Sequence, residues 1–224
     1  MHLLLWQLAD SGFPSGGFAH SGGVEAALHH GEPMDAHALC RLVRDVLTQA
    51  GRCSLPLMTA AHRSGWSDPP TALVELDALC DVFLSNPVAN RASRSQGQGL
   101  VTTCARSFAA PSFGSLQDAV RQKTLCGHHA PMFGAVSGIL GIDRSVAQEL
   151  FLFVTSRGFI SAAVRLGAVG VYEGQQVQYR AGLEIPRIAK TCGDLLPLDI
   201  AQSAPMLDLF QSTHDRLYSR LFQS

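Results

Sequence analysis

The sequence predicts an all-α fold, a single domain of packed helices over residues 1–224. Three observations carry this. Apolar residues recur at three- and four-residue steps through most of the chain. Proline and small polar residues stand where those periodic segments begin. Strong strands do not alternate with the helical segments, and no unit repeats at a fixed period. With 224 residues, 46% of them hydrophobic, the chain can bury a sizeable core and does not read as disordered.

Taken in order, a short N-terminal helix leads into the glycine-rich stretch "FPSGGFAHSGG". A second helix over 22–30 is expected to use Ser21 as its cap and Gly31 as its stop. The periodic positions Leu39, Val43, Val46, Leu47 and Ala50 predict a long helix over 34–62, with Asp35 as cap. Pro69 and Pro70 open the next segment, whose stripe is Leu73, Leu76, Leu79 and Phe83. Further helices are expected over 88–106, 115–125, 131–140 and 146–171. The last is apolar nearly all round, as a central helix should be. Gly158, Gly167 and Gly170 interrupt it, and close approach of neighbouring backbones would explain them. The following "VGVYEGQQVQYR" partly alternates, so a strand remains open there. A final helix is expected over 205–224, with Met206, Phe210, Leu217 and Leu221 on one face, Asp208 near its start, and Arg216 and Arg220 near its end.

Composition excludes several classes. The net charge of −1 gives no general attraction to nucleic acid or anionic lipid. Only 16% of residues are charged, so part of the surface is expected to be apolar and covered by partners. The apolar run in "MHLLLWQLADSG" is too short for a signal peptide, and no membrane span is expected. The six cysteines (Cys40, Cys53, Cys80, Cys104, Cys126, Cys192) form no C-x-x-C pair and read as reduced thiols of a cytoplasmic protein.

The glycine cluster invites chemical readings. Gly12 and Gly17 have P-loop spacing, but Phe18 stands where the phosphate-reaching lysine must be. A dinucleotide fingerprint needs different glycine spacing and a preceding strand. "AHSGG" resembles a nucleophile elbow around Ser21, yet "FPSGGF" before it is no central strand. The residues therefore favour a shaped loop, with Phe13 and Phe18 anchoring it to the bundle.

Other candidates are weaker. His29-His30 and His128-His129, the latter two residues after Cys126, are adjacent pairs without chelating spacing, so no metal site is assigned. Asp10, Glu25 and Asp35 form no evident carboxylate pair. Arg91, Arg94 and Arg106 form a basic face without interleaved aromatics, which is little support for nucleic acid. Arg165 lies in an apolar helix and must be paired or face an interface. "RLYSRLFQS" carries the residue types of binding hot spots, but docking on its own domain is an equal reading.

Several stretches together resemble the urease accessory protein UreF family. They are "LLWQLADSGFPSGGFAHSGGVEAAL", "NRASRSQGQGL", "HHAPMFGAVSGILGI" with "AAVRLGAVG", and "SAPMLDLFQSTHDRLYSRLFQS". They occur in the family's order and span nearly the whole chain. The resemblance implies an all-α homodimer with no catalytic residues and no cofactor of its own. It implies a cytoplasmic scaffold that joins UreD (also called UreH) to the nickel-carrying GTPase UreG. The complex then docks on apo-urease, promotes nickel insertion and modulates GTP turnover. Carried over by motif, the partner-binding residues are Ser15, Gly16, Gly17, His20 and Ser21 of the loop, Arg165, and Tyr218, Arg220, Leu221 and Phe222 of the 205–224 segment. Ser15 stands where many relatives have threonine or isoleucine, and Gly12 replaces a common alanine. The alternatives are a serine hydrolase built on Ser21 and a stand-alone nickel-binding chaperone.

Overall fold

The computed structural model describes residues 2–64 and 71–224. Among them are eleven α-helices: α1 (His2–Ala9), α2 (Val24–His29), α3 (Ala36–Arg52), α4 (Ser54–Ser64), α5 (Thr71–Phe83), α6 (Pro87–Ser107), α7 (Pro111–Arg121), α8 (His129–Ile139), α9 (Arg144–Arg165), α10 (Val171–Cys192) and α11 (Pro205–Thr213). The described residues contain no strand, so the all-α expectation holds. Pro69 and Pro70, expected to open α5, lie outside the described residues.

The first long helix is two. Asp35 caps α3 as expected, its carboxylate accepting the Ala38 N–H at 2.7 Å, and the expected apolar positions are buried. The helix then breaks at Cys53 and restarts as α4. Pro56 explains the break: it has no N–H, and its ring would collide with the Arg52 carbonyl in a continuous helix. That carbonyl accepts from Ala201 N–H instead, at 3.2 Å.

The central packing joins α4 to α8, α6 to α8, and α9 to both α3 and α10. Helix α8 is the most enclosed, buried from Ala130 through Ser137. A methyl group on Gly134 would collide with the Met58 carbonyl of α4, so glycine is what lets these two helices touch. At Gly158, by contrast, a methyl would meet nothing within 4 Å. Close approach therefore does not explain it. Gly167 marks the end of α9: at φ +69° it takes the left-handed turn after the last helical carbonyls. The predicted 146–171 helix thus stops early, and "VGVYEGQQVQYR" belongs to α10, not to a strand. Its buried set, Gly174, Val177, Ala181, Ile185 and Ile188, steps by three and four. Pro186 is tolerated because both it and Gly182, whose carbonyl loses its partner, are exposed.

The C-terminal segment is the main departure. Helix α11 ends at Thr213, a 3-10 turn covers His214–Arg216, and the remainder is an irregular tail. Met206 and Leu221 are exposed, whereas Leu207 and Phe222 are buried. The hydroxyls of Ser212 and Thr213 bond the Leu209 and Phe210 carbonyls, at 2.7 and 2.8 Å, and so cap the helix from within.

Among the described residues, no helix is long and apolar enough to cross a membrane. All six cysteines are unpaired.

Candidate partner-binding surface

The loop between α1 and α2, the end of α9 and the C-terminal tail meet at one end of the bundle. The loop lies along α6. Thr103 Oγ1 donates to the Pro14 carbonyl at 2.8 Å, and Phe13 stacks on Phe108 with ring centroids 6.3 Å apart. Gly16, Gly22 and Gly23 all have positive φ, which explains why the stretch is written in glycine. A 3-10 turn over Gly17–Ala19 brings Phe18 to the surface, where it is exposed and not an anchor in the core.

Arg165 is the joint. Its guanidinium lies 3.6 Å from the Phe18 ring centroid and 4.3 Å from that of Phe222. Its Nη1 donates to the Phe18 carbonyl at 2.5 Å. One cation thus holds a loop aromatic, a tail aromatic and a loop carbonyl, a set that a planar guanidinium can satisfy at once. Arg165 therefore has partners within its own chain.

The tail has a second clamp. Glu25, only 2% exposed, accepts Leu221 N–H at 2.5 Å and Phe222 N–H at 3.2 Å. It also pairs with His214 Nε2 at 3.1 Å. A buried carboxylate is stable only with such donors around it. Glu25 had no role in the expected site; the available signal was one charge inside the otherwise small and apolar "GGVEAAL". Further along, Ser21 N–H donates to the Ser224 carbonyl, and His20 Nδ1 bonds Ser224 Oγ. Asp215, above the clamp, takes both Arg91, at 2.9 and 3.0 Å, and Arg220, at 3.3 Å. Arg91 and Arg94 are thereby occupied by Asp215 and Asp81, which removes two of the three charges from the expected basic face.

These contacts sort the sequence-predicted residues. Ser15, Gly16 and Gly17 are half-buried at the loop's edge. His20 and Ser21 are 8% and 1% exposed, so they support the tail from beneath. Phe222 is buried with them. Tyr218, Arg220 and Leu221 point outward, with Tyr218 fully exposed. Ser21 is not the side-chain cap of α2, whose N-cap is Gly23. Its Oγ accepts a long 3.4 Å bond from Gly23 N–H. The neighbouring His20 is turned to Ser224, so no nucleophile–base pair forms at Ser21. His30 also serves structure: it stacks on Phe210 and bonds Thr213 Oγ1 at 3.0 Å, tying α2 to α11.

Beneath the loop lies a cavity of about 910 Å³, lined among others by His20, His129, Cys53, Cys80 and Phe151. Burial, then the Arg91 and His214 charges, lowers the His20 pKa from 6.5 to about 4. Burial, then His20, lowers His129 equally, to about 4. Both imidazoles are therefore neutral at pH 7.

An all-helical bundle that spends its glycine loop, a buried glutamate and a stacked arginine on fixing one exposed tail has the build of a binding protein. The comparisons with known proteins are specific. The UreF family model matches residues 34–182. "Urease accessory protein F" of Oryza sativa subsp. indica is 37% identical over 223 residues, covering 97% of this chain and 83% of the rice protein. That of Arabidopsis thaliana is 37% identical over 221 residues, covering 98% of this chain and 91% of its own. "Urease accessory protein UreF" of Bacillus sp. (strain TB-90) is 29% identical over 230 residues, covering 99% and 98%. The chain belongs to the UreF family of accessory proteins.

Proposed function

We propose that this protein acts in urease maturation as a non-catalytic cytoplasmic scaffold. It bridges UreD/UreH and the GTPase UreG, promotes nickel insertion into apo-urease and modulates GTP turnover. The observation that carries this is the pinned tail. Glu25, His20, Ser21 and Arg165 hold Leu221, Phe222 and Ser224 from below, while Tyr218 and Arg220 stand exposed above. Aromatic and arginine side chains presented on a fixed backbone bind at low entropic cost. Loop residues Ser15, Gly16 and Gly17 continue the same surface.

The homodimer face of this reading is on α10. Tyr172, Tyr179 and Leu183 are exposed there, at spacings that keep them on one side of the helix. Covering them against a second copy would remove a row of large apolar groups from water. Light scattering tests this: Tyr179→Asp is expected to shift a dimer to monomer.

The functional reading is tested by co-expressing the chain with the other urease accessory proteins and apo-urease. A recoverable complex that raises urease activation is expected. No complex, and activation equal with and without the chain, would end it.

A further inference from the structure

Away from the tail, α5 and the start of α8 bring together three side chains with different donor atoms. Asp81, Cys126 and His128 place a carboxylate oxygen, Sγ and a ring nitrogen all within 4.8 Å of one another. We propose that these three residues bind one borderline divalent transition ion, of the zinc and nickel class. The proposal does not rest on the urease reading.

The donors are held as metal ligands are held. Asp77, buried beside them, accepts Gly127 N–H at 3.0 Å and His128 N–H at 2.8 Å. This fixes the backbone that carries Cys126 and His128, and Gln98 Nε2 adds a bond to the Cys126 carbonyl at 2.9 Å. Ser93 Oγ lies 3.1 Å from His128 Nδ1, orienting the ring so that Nε2 faces Asp81. A hydrogen-bonded second nitrogen is the usual support of a ligating imidazole. Asn90, Arg94 and His128 all bond Asp81 on Oδ1, so Oδ2 carries none of these bonds.

Donor type selects the ion. One sulfur, one nitrogen and one oxygen suit zinc, nickel or cobalt and not magnesium or calcium. Bonds of about 2.0–2.3 Å set tetrahedral donors roughly 3.3–3.8 Å apart, so donors that lie within 4.8 Å of one another draw together around the ion. In the ion-free protein the His128 Nε2 proton occupies the bond to Asp81. Binding moves that proton to Nδ1, and the Cys126 thiol gives its proton to solvent, so about one proton leaves per ion. The thiolate and Asp81 then balance the double charge, and Arg94 keeps its place on Oδ1. Asp81 and Arg94 also line a groove of about 920 Å³ along α6. Of the three donors Asp81 alone borders this groove, so water or a donor from another protein would reach a fourth position from its side.

Titration of the full-length chain with Co2+, followed by absorbance, tests this. Expected are one equivalent bound, a thiolate-to-cobalt charge-transfer band, release of about one proton, and displacement by Zn2+ or Ni2+ but not Mg2+. Cys126→Ala should abolish the band, with Cys126→Ser as a second variant should alanine disturb the loop. Ser93→Ala should weaken binding about tenfold, and Cys40→Ala should change nothing. Absence of saturable binding, a band that survives in both Cys126 variants, or one lost in Cys40→Ala would overturn the site.

Discussion

Glu25 accepts the backbone N–H of Leu221, a residue 196 positions further along the chain, at 2.5 Å. The link joins the first turn of α2 to the tail, and through His214 to the turn after α11. Together with the Ser21 and His20 bonds to Ser224 and the Arg165 stack on Phe222, it holds the tail in place.

Replacing Glu25 therefore acts at a distance. Glu25→Ala leaves two amides and an imidazole without their acceptor, and each unsatisfied buried group costs about 1–3 kcal/mol. Hydrogen exchange at Leu221 and Phe222 is expected to accelerate far more than exchange in α8. Unchanged protection at those two amides would mean that the clamp does not hold the tail.

Arg165 works through shape as well as charge. Arg165→Lys keeps the charge but loses the plane that stacks on Phe18 and Phe222. A loss of about 1–2 kcal/mol is expected for each of Arg165→Lys and Arg165→Ala, read as a lower denaturation midpoint. Full rescue by lysine would show that stacking contributes little.

At Gly134 the contact is between backbones. Gly134→Ala pushes α8 off α4 and is expected to cost about 1–3 kcal/mol, whereas Gly158→Ala, with open space around it, should be neutral or stabilising. Thermal melts of the two variants side by side check the contrast, and equal melts would refute it.

Stability should fall on mild acidification. His20 and His129 titrate near 4 in the folded protein and near 6.5 unfolded, so between these values the unfolded chain binds more protons. Their contribution is complete above pH 6.5 and is lost as pH falls towards 4, by at most about 3 kcal/mol each. A melting temperature lower at pH 5 than at pH 7.5, with a shallower slope in His129→Leu, is the expected pattern. A flat profile would show that these imidazoles are not held neutral.

Much of the fold was legible because it rests on local rules. Asp35 and the prolines at helix starts mark their helices by their own chemistry. Periodicity located the buried face of α3. The misread boundaries have two kinds of cause: Pro56 and Gly167 act locally on α3–α4 and on α9, and elsewhere tertiary partners compete with the helical pattern. In the C-terminal segment the helical pattern continues past Thr213, but Glu25 offers the tail amides a better acceptor than another helical turn could. In α5 the buried line contains Asp77, which no apolar stripe predicts, because it caps a loop fifty residues away. The glycine-rich loop was readable as a shaped element. That its histidine and serine face inward was not, since their partner is Ser224.

The most direct measurement is a pull-down of the GTPase by the tail variants. Tyr218→Ala and Arg220→Ala alter exposed side chains, and Tyr218 makes no hydrogen bond that holds the tail. Wild-type melting with recruitment of UreG weakened by about 2 kcal/mol or more, roughly thirtyfold, is the predicted result. Wild-type recruitment and urease activation in both variants would contradict the claim that the pinned tail is the partner-binding surface.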